Sequence, residues 1–230
     1  MSLKSFYRNP FKATTITVER LVKFCKDHLE RLTAYNVDDA LTATINETAP
    51  LLDALNAAVN AEDTSAVTQL SLTQKMTATM KAFKKDVSRD EGLIRHTWGA
   101  GTPEYRQFFP NGVSEYSTAS LTDAEILMSR FVSSATAHVA TLGQAFADKF
   151  SAHLSNFSAA RKAQLQQFGE VSEAKADVRE KREAMETQLL KNIHTLGTQF
   201  TANGNRSMNF FDESLLRRSK RTKVETPPAE

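Results

Sequence analysis

Between Pro110 and Pro227 the chain contains no proline, and glycine is sparse there too. Such a span has almost nothing to interrupt an α-helix. It also carries a long apolar stripe: Leu127, Phe131, Ala135, His138, Leu142, Phe146, Phe150, Leu154, Phe157, Arg161, Leu165 and Phe168. Every step is three or four residues, which is the spacing of one helix face. The mean step is near 3.7 residues, so the stripe drifts slowly round the helix and leans towards right-handed wrapping. A helix this long spans roughly 60 Å. Gly143 is a point where it can kink. Thr122 and Glu125 have the spacing of a capping box, and Leu121 and Ile126 that of a hydrophobic staple. A turn is expected at Phe168-Gly169-Glu170-Val171-Ser172. A last helix then runs to about Phe200 with Val178, Met185, Leu189, Ile193, Leu196 and Phe200 on its apolar face. The i,i+4 pairs Asp177–Lys181, Arg179–Glu183 and Arg182–Glu186 mark a solvated face.

The first half is more broken. A helix begins at Thr17 with Val18, Leu21, Cys25, Leu29 and Leu32 on one side, and ends near Tyr35-Asn36. A second piece carries Leu41, Ile45, Leu52, Leu55 and Val59, with a kink or restart at Pro50. A turn is expected over 60–65, and a third helix then shows Leu72, Met76, Met80, Phe83, Val87, Ile94 and Trp98.

The two halves resemble each other. His-Thr-x-Gly ends at Gly99 and again at Gly197, and Ile16/Leu21 matches Leu121/Ile126. Aromatic pairs recur at Phe6-Tyr7, Phe108-Phe109 and Phe210-Phe211, each 102 residues from the next. The expected fold is therefore all-α, a tandem-duplicated unit of long antiparallel helices in a bundle with no sheet. Its parts are an N-terminal arm 1–13, helical unit 14–101, crossover loop 102–119, helical unit 120–203, aromatic closing segment 204–216 and basic tail 217–230. Gly99 and Gly197 suit the left-handed residue after a helix C-terminus, which puts His96 and His194 in last turns. The loop aromatics Tyr105, Phe108, Phe109 and Tyr116 imply a crossover packed onto the bundle.

The staple start, the segment Thr102–Gly112 (T-P-E-Y-x-x-F-F-P-x-G), the His-Thr-Leu-Gly end and the close Phe210–Leu216 (F-F-D-x-S-L-L) resemble an uncharacterised family of bacterial helical proteins. The resemblance covers most of residues 15–216. It implies no activity and no site residues, and the basic tail departs from it.

Five cations, Arg217, Arg218, Lys220, Arg221 and Lys223, are gathered in the tail, and the rest of the chain holds 24 basic and 25 acidic residues. The net charge of +2 therefore says nothing about a nucleic-acid face on the fold. The single cysteine, Cys25, excludes an internal disulfide. It reads as a core residue, or as a thiol activated by Lys23 and Lys26. The early residues show no apolar leader and no run suits a membrane helix, so the cytoplasm is the expected location and no membrane is a partner. Phosphate-loop, dinucleotide, H-E-x-x-H and C-x-x-C motifs are missing. No catalytic residue, cofactor or metal ligand is assigned.

The reading is a non-enzymatic structural or interaction protein that self-assembles into a homo-oligomer through long helical faces and aromatic joints, the six residues of the three pairs being the contact candidates. An alternative is binding of nucleic acid or another acidic surface by the tail; a second is a bundle that holds a small molecule or metal. Two adjacent prolines (Pro227, Pro228), five cations and few apolar groups make residues 217–230 unable to bury enough to offset ordering. Deleting them should leave the melting temperature within a degree or two, measured by circular dichroism.

Overall fold

A computed structural model describes residues 8–218, and Phe6, Tyr7, Lys220, Arg221 and Lys223 lie outside them. The described residues form helices and no strand. The order is α1 (Val18–Ala34), α2 (Thr42–Trp98), α3 (Pro103–Phe108), α4 (Ser114–Thr118), α5 (Ala124–Ala137), α6 (Val139–Leu142), α7 (Gln144–Gln199) and α8 (Gly204–Met208), followed by a 3-10 turn Glu213–Leu216. The all-α bundle holds.

Several helix ends differ from the sequence reading. The turn expected over 60–65 does not form, nor does a break at Pro50: α2 is one helix of 57 residues with Pro50 inside it. The turn expected over 168–172 does not form either, and α7 runs 56 residues through Gly169. The buried seam continues across both places, but in polar side chains. Gln164 and Gln167 are buried at seam positions; Gln164 Nε2 donates to Thr73 Oγ1 (2.9 Å) and Gln167 Nε2 to the Ser65 carbonyl (3.5 Å). Polar seam residues erase the apolar period without stopping the helix, and a lone Gly169 costs only about 1 kcal/mol relative to Ala.

The break comes instead at Gly143. Its φ of +85° with ψ of 154° is backbone that only glycine adopts readily. The long stripe is thereby folded into a hairpin, α5 and α6 against the start of α7, with Phe131 and Phe150 in ring contact at 4.3 Å. Gly99 does take the left-handed position, φ +88°, and its N–H reaches the Arg95 carbonyl at 2.8 Å. Gly197 does not: it lies within α7. The capping box and staple at 121–126 also fail. Ile126 is 71% exposed and α5 starts at Ala124. The box is shifted two residues back, where Ser120 Oγ accepts from the Asp123 N–H (3.3 Å) and donates to its carboxylate (2.6 Å). At α1 the staple is present. Thr17 accepts from the Arg20 N–H, and Ile16 and Leu21 are both buried.

The chain separates into two compact units, residues 1–63 with 173–230, and residues 64–172. They cut across the sequence halves. In the first unit α1 lies with the start of α2 and the end of α7 around Phe11, Leu21, Phe24, Leu55, Met185 and Leu189. In the second, α5 lies with the start of α7 and the end of α2 around Phe83, Phe108, Phe131, Phe150 and Phe157. The halves nevertheless share part of an order of elements: a short helix, a bend, a helix of 56 or 57 residues, then a short helix with an aromatic pair at or just after its end; α4 belongs to the first half alone.

Gly143→Ala has open space for its Cβ, so its cost is torsional, about 1–3 kcal/mol. Gly197→Ala, inside a helix and equally unobstructed, should instead stabilise by about 0.5 kcal/mol or more. Urea unfolding of the two variants should show these opposite signs.

Candidate functional site

The two aromatic pairs within the described residues sit inside the units. Phe108 and Phe109 are buried (0% and 2% exposed) beneath α5, in ring contact with Phe131 at 5.2 and 6.0 Å. Phe210 is buried at 3%, and Phe211 stacks on His28 at 4.5 Å. Tyr116 is buried too, its hydroxyl donating to the Phe108 carbonyl at 2.7 Å. Each short helix also holds the backbone entering its pair. Arg31 donates to the Asn209 carbonyl at 3.0 Å, and Ser134 to the Gln107 carbonyl at 2.9 Å. Phe108, Phe109 and Phe210 pack as internal caps within their units, while Phe211 is only half-buried. Of the tail cations, Arg217 faces Glu213 at 3.4 Å and Arg218 is exposed.

Cys25 is fully buried, and burial pushes its thiol up to about 12. A thiolate at neutral pH is excluded by that environment, whatever the flanking lysines contribute. His138, on the expected stripe, ends α5 and bonds Gln107 Oε1 at 2.8 Å. His153 faces Asp86 at 2.8 Å, and Lys149 pairs with Asp90. The His153 ring of the first pair is edge-on to Phe83 and tilted against Phe150, so it closes the rim of an aromatic core. Among the described residues no group of three or more His, Cys, Asp or Glu could hold a metal ion, and no helix is long and apolar enough to cross a membrane.

A feature the sequence reading missed is a buried polar chain in the first unit. His28 Nδ1 meets the Phe210 carbonyl at 2.8 Å, and Nε2 meets Asn192 Nδ2 at 3.0 Å. Asn192 also donates to Thr48 Oγ1 (2.9 Å), which donates to the Thr44 carbonyl (2.6 Å). Gln188 donates to Asn192 Oδ1 (2.9 Å) and to Glu47 (3.2 Å), and Glu47 accepts from Lys191 at the surface (2.6 Å). A carbonyl at one ring nitrogen and an amide donor at the other fit only the neutral Nδ1–H imidazole. The chain ties α1, α2, α7 and the closing segment together, with each polar group satisfied. The signal in the sequence was polar residues at face positions: His28 among Cys25, Leu29 and Leu32, and Thr48 between Ile45 and Leu52.

A cavity of roughly 270 Å³ lies nearby, lined mainly by Phe11, Phe24, Ile193, Met208, Phe211 and Leu216. Its only charged lining groups among the described residues are Glu213 and Arg217, which pair with each other. It offers apolar volume and no nucleophile with a base.

The outer surface carries a second missed feature. Leu165 and Phe168, read as stripe residues, are 55% and 52% exposed. On α2, Leu70 and Val67 are 58% and 67% exposed. The Gln164–Thr73 and Gln167–Ser65 bonds set these stretches of α7 and α2 side by side in the second unit. Leu70 follows Gln69 as Leu165 follows Gln164, one helix step (about 100°) out of the seam, and in an antiparallel pair both steps turn towards the same side. Leu70, Leu165 and Phe168 thus share one outer face.

Compared with protein families, curated proteins and solved structures, the chain matches none.

The pH response of the first unit follows from His28. Burial pushes its imidazole down to about 4, against the bond to the Phe210 carbonyl and the nearby Asp27, which favour the charged form; Arg31 disfavours it. The unfolded ring takes up its proton near pH 6.5. Between those values the unfolded state binds more protons, so stability rises with pH, is complete above about pH 7, and falls as pH drops towards 4. About 2 kcal/mol should be lost between pH 7 and pH 5. His28→Gln should flatten that slope in urea titrations at the two pH values.

Proposed function

We propose that this chain is a non-enzymatic structural protein that assembles with further copies of itself through the outer faces of its long helices. The observation that carries the reading is the apolar group Leu70, Leu165 and Phe168, with Val67 beside it, left in solvent on helices whose other large apolar residues are mostly buried. Exposed apolar side chains grouped on one face mark contact surfaces more often than single scattered ones do. The helices that carry them are long and regular, and regular helices present a fixed row of side chains to a partner. The buried aromatic pairs stiffen the units and make their ends rigid, which favours assembly with a defined geometry. A tandem duplication of one short helix, one long helix and one aromatic closure accounts for the shared element order and for long helices of 57 and 56 residues.

The test is mass in solution. Light scattering of the full chain, across micromolar to hundred-micromolar concentration, should report two or more chains per particle. A single-chain mass of 25.6 kDa at every concentration would overturn the reading.

A further inference from the structure

We infer that the apolar cavity of the first unit binds an extended amphipathic anion, a medium-chain carboxylate, with its alkyl chain among Phe11, Phe24, Phe211 and Leu216 and its head at Arg8. The inference goes beyond assembly and does not depend on it. Every residue it uses lies within the first unit.

The cavity walls give water no partner. The Phe11 and Phe24 rings, both buried, stand 5.4 Å apart, and the half-buried Phe211 stacks with Phe24 at 6.3 Å. With Ile193 and Leu216 they enclose roughly 270 Å³, near the lower end of the range for small-molecule pockets. The polar chain next to these rings sends nothing into the space: both nitrogens of His28 are engaged, by the Phe210 carbonyl and by Asn192. An apolar space of this kind stays dry and takes up apolar groups. Any polar anchor for a ligand must therefore lie at its edge.

Such an edge exists. Pro10 and Ile193 line both the cavity and a groove along the end of α7, where Arg8, His194, Gly197 and Thr198 also lie. Among the described residues the groove has two basic side chains, Arg8 and His194, and no carboxylate. Neighbouring cations are already paired, Lys12 with Glu183 at 3.1 Å and Arg217 with Glu213 at 3.4 Å. Arg8 has no such pair among the described residues. Its planar fork of N–H donors suits a carboxylate.

Gly197 fits the same reading. It lines the groove from within α7, and a Cβ there would meet nothing of its own chain. Internal packing gives no reason for a residue that weakens a helix, whereas a side chain at this place would project into the groove. A compact anion would use the groove alone, and an alkane the cavity alone. A molecule that crosses Pro10 and Ile193 uses both. Its chain leaves water, and its charge stays at the solvated guanidinium without the cost of burial.

The experiment is calorimetric titration of the full chain with octanoate and with octan-1-ol. Octanoate should bind at one site per chain with a sub-millimolar dissociation constant, and octan-1-ol about tenfold more weakly. Arg8→Gln should weaken octanoate about tenfold and leave octan-1-ol unchanged. Leu216→Trp, which fills the cavity from its wall, should weaken both probes about tenfold or more. Circular dichroism melts control for folding, and Arg8→Gln, at an exposed position, keeps the test intact where the tryptophan variant unfolds. If the wild type binds neither probe up to millimolar concentration, the site is overturned. If a folded Leu216→Trp binds both as the wild type does, the cavity is not the place of binding. If Arg8→Gln leaves octanoate unchanged, the anionic head is overturned. If either probe binds only after Phe6→Ala with Tyr7→Ala, the cavity belongs to the start of this chain and the proposal falls. None of these outcomes bears on the assembly reading, which light scattering tests separately.

Discussion

In both compact units the same physical arrangement recurs: a short helix can fold only because a stretch of α2 and a stretch of α7 run antiparallel beside it. A helix the length of α1, 17 residues, is marginal alone in water. Its apolar side must be covered on two flanks, and the pairing of α2 with α7 supplies them. In the first unit Thr48 of α2 meets Asn192 of α7; in the second, Asp86 meets His153. Because each long helix belongs to both units, neither half of the sequence makes a complete core from its own residues.

The two units solve the same packing problem with different chemistry. In the second, rings dominate: Phe83, Phe108, Phe131 and Phe150 contact one another edge to face or tilted, an arrangement that suits the ring quadrupole. In the first, a satisfied polar chain from the Phe210 carbonyl through His28 and Asn192 to Glu47 runs through the core. Such a chain specifies which faces meet, since a slipped register would leave buried polar groups without partners. It also fixes the closing segment, because Phe210 offers its carbonyl to His28 while its ring packs with Leu32 and Leu41.

Where the aromatic pairs are concerned, local sequence spacing gave their number but not their destination. Adjacent rings in a loop suit an interface and a cap equally well, and the choice depends on whether another element of the same chain lies over them. Here α5 and α1 do. Conversely, Leu165 and Phe168 continue a clean helical stripe from Leu127, yet lie outside. A stripe with a mean step above 3.6 drifts round its helix, and after the hairpin at Gly143 the buried positions beyond Ala160 pass to Gln164 and Gln167.

The sequence by itself determined the helical class, the start of α1 at its Thr17 cap, the left-handed Gly99 and the packed crossover. Each depends on residues close together in the chain: propensity, capping groups, or apolar period. The length of α2 and α7, the break at Gly143, the grouping of residues 1–63 with 173–230, and the identity of the outer apolar face were decided by tertiary structure. The physical reason is that helix continuation across a polar stretch costs little locally. Whether Gln164, Gln167 and Ser65 form a turn or a seam is settled by the partner that arrives from a hundred residues away.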